Sequence, residues 1–191
     1  MKQLTLIIVF FSTVLTSALA QPLTYEKQSI GIGIGVPSMA QNTYTSQSPA
    51  ITFHYAYGLS DKIGVGYISV GGLLSMTGGE YNNRSLDQKY SVDFSQTIIG
   101  PRATYHFDMV DLTGSKEWNK IDVYGGAFLG LKFESAKYTL PGTSSKEKNN
   151  KTSLTTDLFA GLRYGFTDNI GAFGEIGFGV SYFSVGVNWR F

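Results

Sequence analysis

Four times in this chain an apolar-alternating stretch ends on two aromatic side chains one residue apart, just before a polar turn or at the end of the sequence. The pairs are Tyr55 and Tyr57, Tyr105 and Phe107, Tyr164 and Phe166, and Trp189 and Phe191. Residues two apart in a strand project from the same face. Each pair therefore sets two rings on one side, at one end of a strand. Rings gathered at one level of several strands are what a membrane–water interface selects, because the ring body sits in apolar chain while a polar tip meets headgroups. The feature predicts strands that cross a membrane.

Between these pairs the chain alternates with period two. Ile30, Ile32, Ile34 and Val36 share one face, as do Ile51, Phe53, Tyr55 and Tyr57. Ile63, Val65 and Tyr67 open a third stretch; Ile99, Pro101, Ala103, Tyr105 and Phe107 mark a fourth. A fifth runs from Ile121 to Phe133 through Val123, Ala127, Leu129 and Leu131. Leu158 to Phe166, Ile170 to Phe178 and Phe183 to Phe191 complete the set. Strands of about ten residues suit a tilted membrane crossing. The fold expected is all-β, an eight-stranded antiparallel up-and-down transmembrane β-barrel over residues 21–191.

Residues 1–20 read as a signal peptide. Lys2 gives the positive start, Leu4 to Leu15 the apolar core, and Ala18-Leu19-Ala20 the small-residue cleavage pattern. Without Lys2 the basic and acidic residues balance, which speaks against a nucleic-acid binder. No other stretch approaches the roughly 20 apolar residues of a spanning helix. Charged residues make up 15% of the chain, below the ~25% usual for soluble domains, so a fully wetted surface is not expected. Cysteine is absent, which excludes disulfides and thiolate metal sites.

Connection lengths set a direction, since outer-membrane barrels keep short turns on the periplasmic side and longer loops outside. The turns after Tyr57 and Phe166 are short, whereas segments 76–91 and 135–153 are long and polar. Periplasmic termini then place every aromatic pair in a periplasmic girdle made by Tyr55, Tyr57, Tyr105, Phe107, Tyr164, Phe166 and Trp189. Some segments resist the scheme. Asp108–Lys120 is long for a periplasmic turn, and the final outer loop near Gly179–Tyr182 is almost absent. Phase is lost at Tyr67-Ile68 and between Phe94 and Ile99; Pro101, unable to donate to a ladder, predicts a bulge near Ile98–Gly100.

Alternation alone also fits a soluble, ligand-carrying barrel with its apolar face inward. The polar face decides between them. It is mostly glycine and small residues with isolated charges, which suits the crowded lumen of eight strands. Charges there must be paired. Arg163 and Glu175, across a short turn, form the expected pair, with Arg102, Asp122 and Lys132 extending a lumen network.

The eight amphipathic strands and the C-terminal Phe183-x-Val185-x-Val187-x-Trp189-x-Phe191 resemble small outer-membrane barrel proteins, OmpX/Ail-like and OmpA-transmembrane-like. In particular the chain is similar to the "outer membrane protein beta-barrel domain" or porin-family proteins common in Bacteroidetes-type Gram-negative bacteria. The resemblance implies that Phe183, Val185, Val187, Trp189 and Phe191 form the signal read by the barrel-assembly machinery. It also implies a monomer embedded in outer-membrane lipid.

His54 and His106 are the sole histidines. Both fall on the lumen face at different heights, as histidines bonded to neighbours rather than a metal pair or a general base. Gly31-Ile32-Gly33-Ile34-Gly35 lacks the helix and spacing of a dinucleotide fingerprint. No catalytic, cofactor-binding or metal-ligating set is expected. Lys146, Lys148 and Lys151 stand against Glu147 in a polar segment that could touch lipopolysaccharide phosphates. The function expected is a structural or surface-interaction barrel acting through 76–91 and 135–153. A narrow porin-like channel is the alternative, ahead of a lipid-modifying enzyme.

Overall fold

The computed structural model describes residues 24, 26–38, 46–85, 88–139 and 146–191. The expected signal peptide lies outside them, as does part of segment 135–153. Among the described residues nine strands form: β1 Gln28–Pro37, β2 Ser46–Gln47, β3 Ala50–Gly58, β4 Gly66–Ser85, β5 Gln88–Phe107, β6 Ile121–Thr139, β7 Lys146–Gly165, β8 Ile170–Gly177 and β9 Ser181–Arg190. Every neighbouring pair is antiparallel, and pairing of β1 with both β3 and β9 and of β4 with β5 closes an eight-stranded ring. The two-residue β2 is an extra, bridging to Gly79 and Glu80 of β4. At the seam, the Gln28 and Phe191 backbones exchange hydrogen bonds of 2.9 and 3.0 Å.

Period-two alternation turns the apolar set outward all round the ring. Ile32, Phe53, Ile99, Leu129, Leu158, Val187 and Trp189 are all exposed, while Ser69, Arg102, His106, Asp122 and Arg163 are buried. A soluble carrier would show the reverse, so the two faces rule out that alternative. Three aromatic pairs touch at their expected end, with centroids 5.1 Å apart for Tyr105 and Phe107, 5.6 Å for Tyr164 and Phe166, and 5.1 Å for Trp189 and Phe191.

Four sequence expectations need correction. Segments 76–91 and 135–153 are not simply loops. The β4–β5 ladder continues to Ser85 opposite Gln88, and the β6–β7 ladder to Thr139 opposite Lys146. Loss of apolar alternation marks where strands leave an apolar surrounding; backbone pairing does not require it. The third stretch begins later than expected. Ile63 and Val65 lie in a turn closed by an Ile63–Gly66 bridge, and Tyr67 shares the inward phase of Ser69, Leu73 and Ser75. Phase is not lost near Ile99 either, because the apolar Ile98 faces the lumen, 1% exposed. Finally, no bulge forms at Ile98–Gly100: β5 keeps one register against β4 and β6, with only the β6 pairings of Gly100 and Pro101 missing. The Leu129 carbonyl and Gly130 fill the space a Gly100 Cβ would need, so the strands stay close past Pro101. The irregularity sits at Val36/Pro37, where Val36 faces Phe183 and Pro37 faces Ser181.

Candidate functional site

The lumen is built in layers from inward residues of successive strands. Nearest the chain termini, His106 of β5 holds Asp122 of β6 through Nδ1, 3.0 Å from Oδ1, while its Nε2 lies 2.9 Å from Ser69 Oγ of β4. Arg163 of β7 donates from Nη1 to Asp122 Oδ2 at 3.0 Å. One layer up, Arg102 Nη2 and Tyr124 Oη both donate to Glu175 Oε1 at 2.9 Å. The guanidinium of Arg102 also stands 4.0 Å from the centroid of the Phe159 ring. Tyr124 couples the layers, with Arg163 5.1 Å from its ring centroid. Removing one partner of such a desolvated pair costs far more than the pair contributes net. These groups therefore fix the relative position of β4, β5, β6, β7 and β8.

Four of the five charges expected in the lumen thus meet, but in different pairs. Arg163 goes to Asp122, not to Glu175. On β6 Asp122 is its direct cross-strand neighbour, whereas on β8 that place belongs to Phe173 and Glu175 faces Gly161. Glu175 instead reaches across the lumen to Arg102. Lys132 stands apart from both layers, with Glu134 at 3.4 Å. His106 is held as a lumen histidine should be. His54 packs instead, edge-on to Phe173 with centroids 4.7 Å apart, in the space left by Gly31.

Ser69, His106 and Asp122 have the connectivity of a nucleophile, base and orienting acid, a constellation the sequence reading missed because its members lie on three strands. All three are at most 1% exposed. A serine hydroxyl so enclosed is a structural hydrogen-bond partner of His106.

Above the charged layers the lumen turns apolar. Leu73, Ile98, Tyr124, Phe128, Phe159 and Val180 form one buried cluster. Val180 belongs to the short β8–β9 connection, which the Asp157 carboxylate draws in by accepting from the backbone N–H of Phe178 and Gly179, each at 2.8 Å, and of Val180 at 3.3 Å. The cavity bordered by Asp157, Phe159, Glu175 and Val180 measures about 20 Å³, room for one water at most. The nearly absent final loop therefore sets Val180 into the buried apolar cluster, and little space is left beside it.

The remaining feature is height. β4, β5, β6 and β7 run 20, 20, 19 and 20 residues, while β7 pairs with β8 only from Phe159 onward. Their upper halves form a four-stranded sheet standing clear of the ring. Among the described residues, the β7 edge from Lys146 to Thr155 faces no neighbouring strand. Lys137 and Lys148 lie directly opposite each other on its outward side, both exposed.

No protein-family model matches the chain, and no curated protein does. Solved structures do. The N-terminal β-barrel domain of Pseudomonas aeruginosa OprF aligns at TM-score 0.50 and 19% identity, over 87% of this chain and 98% of that one. Ail, the attachment invasion locus protein of Yersinia pestis, aligns at TM-score 0.51 and 14% identity, over 88% and 100%. Its complex with the heparin analogue sucrose octasulfate aligns at TM-score 0.52 and 15% identity, over 86% and 97%. The chain has the fold of these small eight-stranded outer-membrane barrels.

Proposed function

We propose that this protein is an integral outer-membrane barrel whose raised four-stranded sheet presents a binding surface outside the cell, with its termini in the periplasm. The observation that carries the reading is the contrast between a lumen filled by paired charges and an apolar cluster, and a tall sheet whose β7 edge no described strand covers. A plugged interior leaves the outside as the place of work. An unpaired edge offers backbone groups for strand addition, and Lys137 opposite Lys148 is a like-charge contact that an anionic ligand would relieve. Ail in complex with a polysulfated heparin analogue supports anionic partners, and lipopolysaccharide phosphates are of the same chemistry. The chain acts as a monomer in outer-membrane lipid, and its Phe183–Phe191 alternation serves the barrel-assembly machinery.

The test begins with the mature chain in its own membrane. Unboiled protein should migrate ahead of boiled protein on a gel. A Lys148→Cys variant, in a chain with no native cysteine, should label with an impermeant maleimide on intact cells. Labelling only after cell disruption overturns the orientation. Retention on immobilised heparin that weakens with salt and is lost in Lys137→Glu/Lys148→Glu supports anion binding, and unchanged retention overturns it. Steady single-channel current would reinstate the channel.

A further inference from the structure

The segment Asp108–Lys120 is long for a turn at the end of the barrel where the termini lie, and its structure is specific. Asp108 caps a short helix, α1 Met109–Thr113, by accepting from Asp111 N–H at 3.1 Å, and a single 3-10 turn follows at Lys116–Lys120. The neighbouring turn, residues 59–65, is bound to it. Lys62 Nζ lies 2.9 Å from Asp108 Oδ2 and 3.1 Å from Asp111 Oδ2. Asp108 N–H also donates to the Val65 carbonyl at 2.9 Å. These contacts tie the two connections into one body.

That body is apolar where water would be expected. Leu59, Ile63, Val65 and Leu112 are each between 41% and 52% exposed, beyond the ends of the strands. They are not isolated from the outward belt. Tyr105, on that belt, donates its hydroxyl to the Ile63 carbonyl at 2.7 Å, and its ring lies against Phe107. The exposed apolar surface thus continues from the aromatic end of β5 onto the turn, and the Lys62 bridge sets the helix that carries Leu112 beside it. The 3-10 turn that follows carries Lys116 and Lys120.

We infer that residues 59–65 and 108–120 form a foot that rests in the headgroup layer of the phospholipid leaflet at the terminal end of the barrel. Continuity with the lipid-facing belt identifies the occupant. Apolar side chains at that level enter the acyl boundary, aromatic and basic groups stay among headgroups, and the Lys62 bridge keeps both pieces at one depth. The foot widens the barrel's grip on that leaflet beneath the tall strands. The inference rests on the membrane reading above.

The test uses single-cysteine variants Ile63→Cys and Leu112→Cys carrying an environment-sensitive fluorophore, in vesicles of phosphatidylethanolamine and phosphatidylglycerol. Leu129→Cys serves as the belt control and Asn150→Cys as the water control. Emission at 63 and 112 should be lost to a shallow spin-labelled lipid and spared by aqueous iodide, and Lys62→Met should restore iodide quenching at 112. Iodide quenching at 63 and 112 equal to that at 150, with 129 still quenched by lipid, overturns the foot and leaves the barrel standing. Iodide quenching at 129 as well overturns the membrane reading itself.

Discussion

The two halves of this ring share one ladder and differ in height by a factor that has no counterpart in their apolar content. β1, β3, β8 and β9 are 10, 9, 8 and 10 residues long, about what a tilted crossing requires. β4 to β7 are twice that, yet their outward apolar side chains stop near Met76, Ile99, Phe133 and Leu154. Lipid thickness limits the short wall; the tall wall continues because pairing in water is sustained by its own ladder and by Thr, Tyr and Val residues suited to strands. Their interiors differ as well. Short strands β1 and β9 turn Gly31, Gly33, Gly35 and Gly186 inward, whereas β5, β6 and β7 supply Arg102, His106, Asp122, Tyr124 and Arg163. The Asp122 layer braces the half that carries a lever above the membrane, and Glu175 of β8 carries the Arg102 layer across to the short wall.

Breaking that brace should have the largest effect. Asp122→Ala leaves Arg163 and His106 buried without their shared acceptor and should cost about 3–5 kcal/mol, read as a lowered midpoint for urea unfolding of the folded gel band. A loss as small as that of a surface substitution would mean the tall half is held by its ladder alone. Next in size, Leu129→Arg on outward β6 should cost roughly 2–4 kcal/mol near the bilayer midplane. Lys148→Glu, farther up the tall wall, should stay within about 0.5 kcal/mol. Equal costs at the two positions would erase the boundary drawn between the lipid-bound and water-bound parts of the tall strands.

A smaller effect is expected where the short wall closes the lumen. Asp157→Ala frees the N–H groups of Phe178, Gly179 and Val180 and should cost about 1–3 kcal/mol. Current fluctuations in planar bilayers should appear as Val180 leaves the apolar cluster. A silent variant would show that side-chain packing alone stops the lumen.

Which parts of this were legible beforehand follows from what a sequence encodes locally. The outward face was, because Leu129, Leu131 and Phe133 must all meet the same surrounding and so repeat with period two. The height of the extension was not. Ser91, Ser135 and Asn150 are polar in a loop and equally polar in a strand that stands in water, and only register tells the two apart. Lumen pairing was legible as a set and not as partners. Proximity across a turn suggested Arg163 with Glu175, but a stagger of two residues puts Phe173 opposite Arg163 on β8, and on β6 that place belongs to Asp122. Contacts across a barrel, such as Glu175 with Arg102, leave no trace in sequence spacing. The Ser69–His106–Asp122 chain was hidden because its members lie on three strands far apart in sequence.

The smallest effect concerns the base of the tall wall, where the Lys62 bridge joins the turn entering β4 to the segment leaving β5. Hydrogen bonds from Lys62 to Asp108 and then Asp111 push the Lys62 ammonium above its ordinary pKa. Burial pushes the Asp108 carboxyl up, but bonds from Lys62 and from the Asp111 backbone N–H outweigh it and hold it below its ordinary value. A depressed carboxyl contributes stability above its unfolded pKa and loses it as pH falls through the folded value. A raised lysine contributes fully below its unfolded pKa and loses it as pH climbs through the folded one. The bridge is therefore intact across neutral pH and opens at both extremes, in acid as pH falls through the lowered Asp108 value. Exposed ion pairs contribute little to global stability, so the gel shift should hardly move. Iodide access at position 112 should rise in acid in the native bridge and be high at every pH in Lys62→Met. An unchanged acid response in that variant would assign the motion to other carboxylates and detach the base of the tall wall from this bridge.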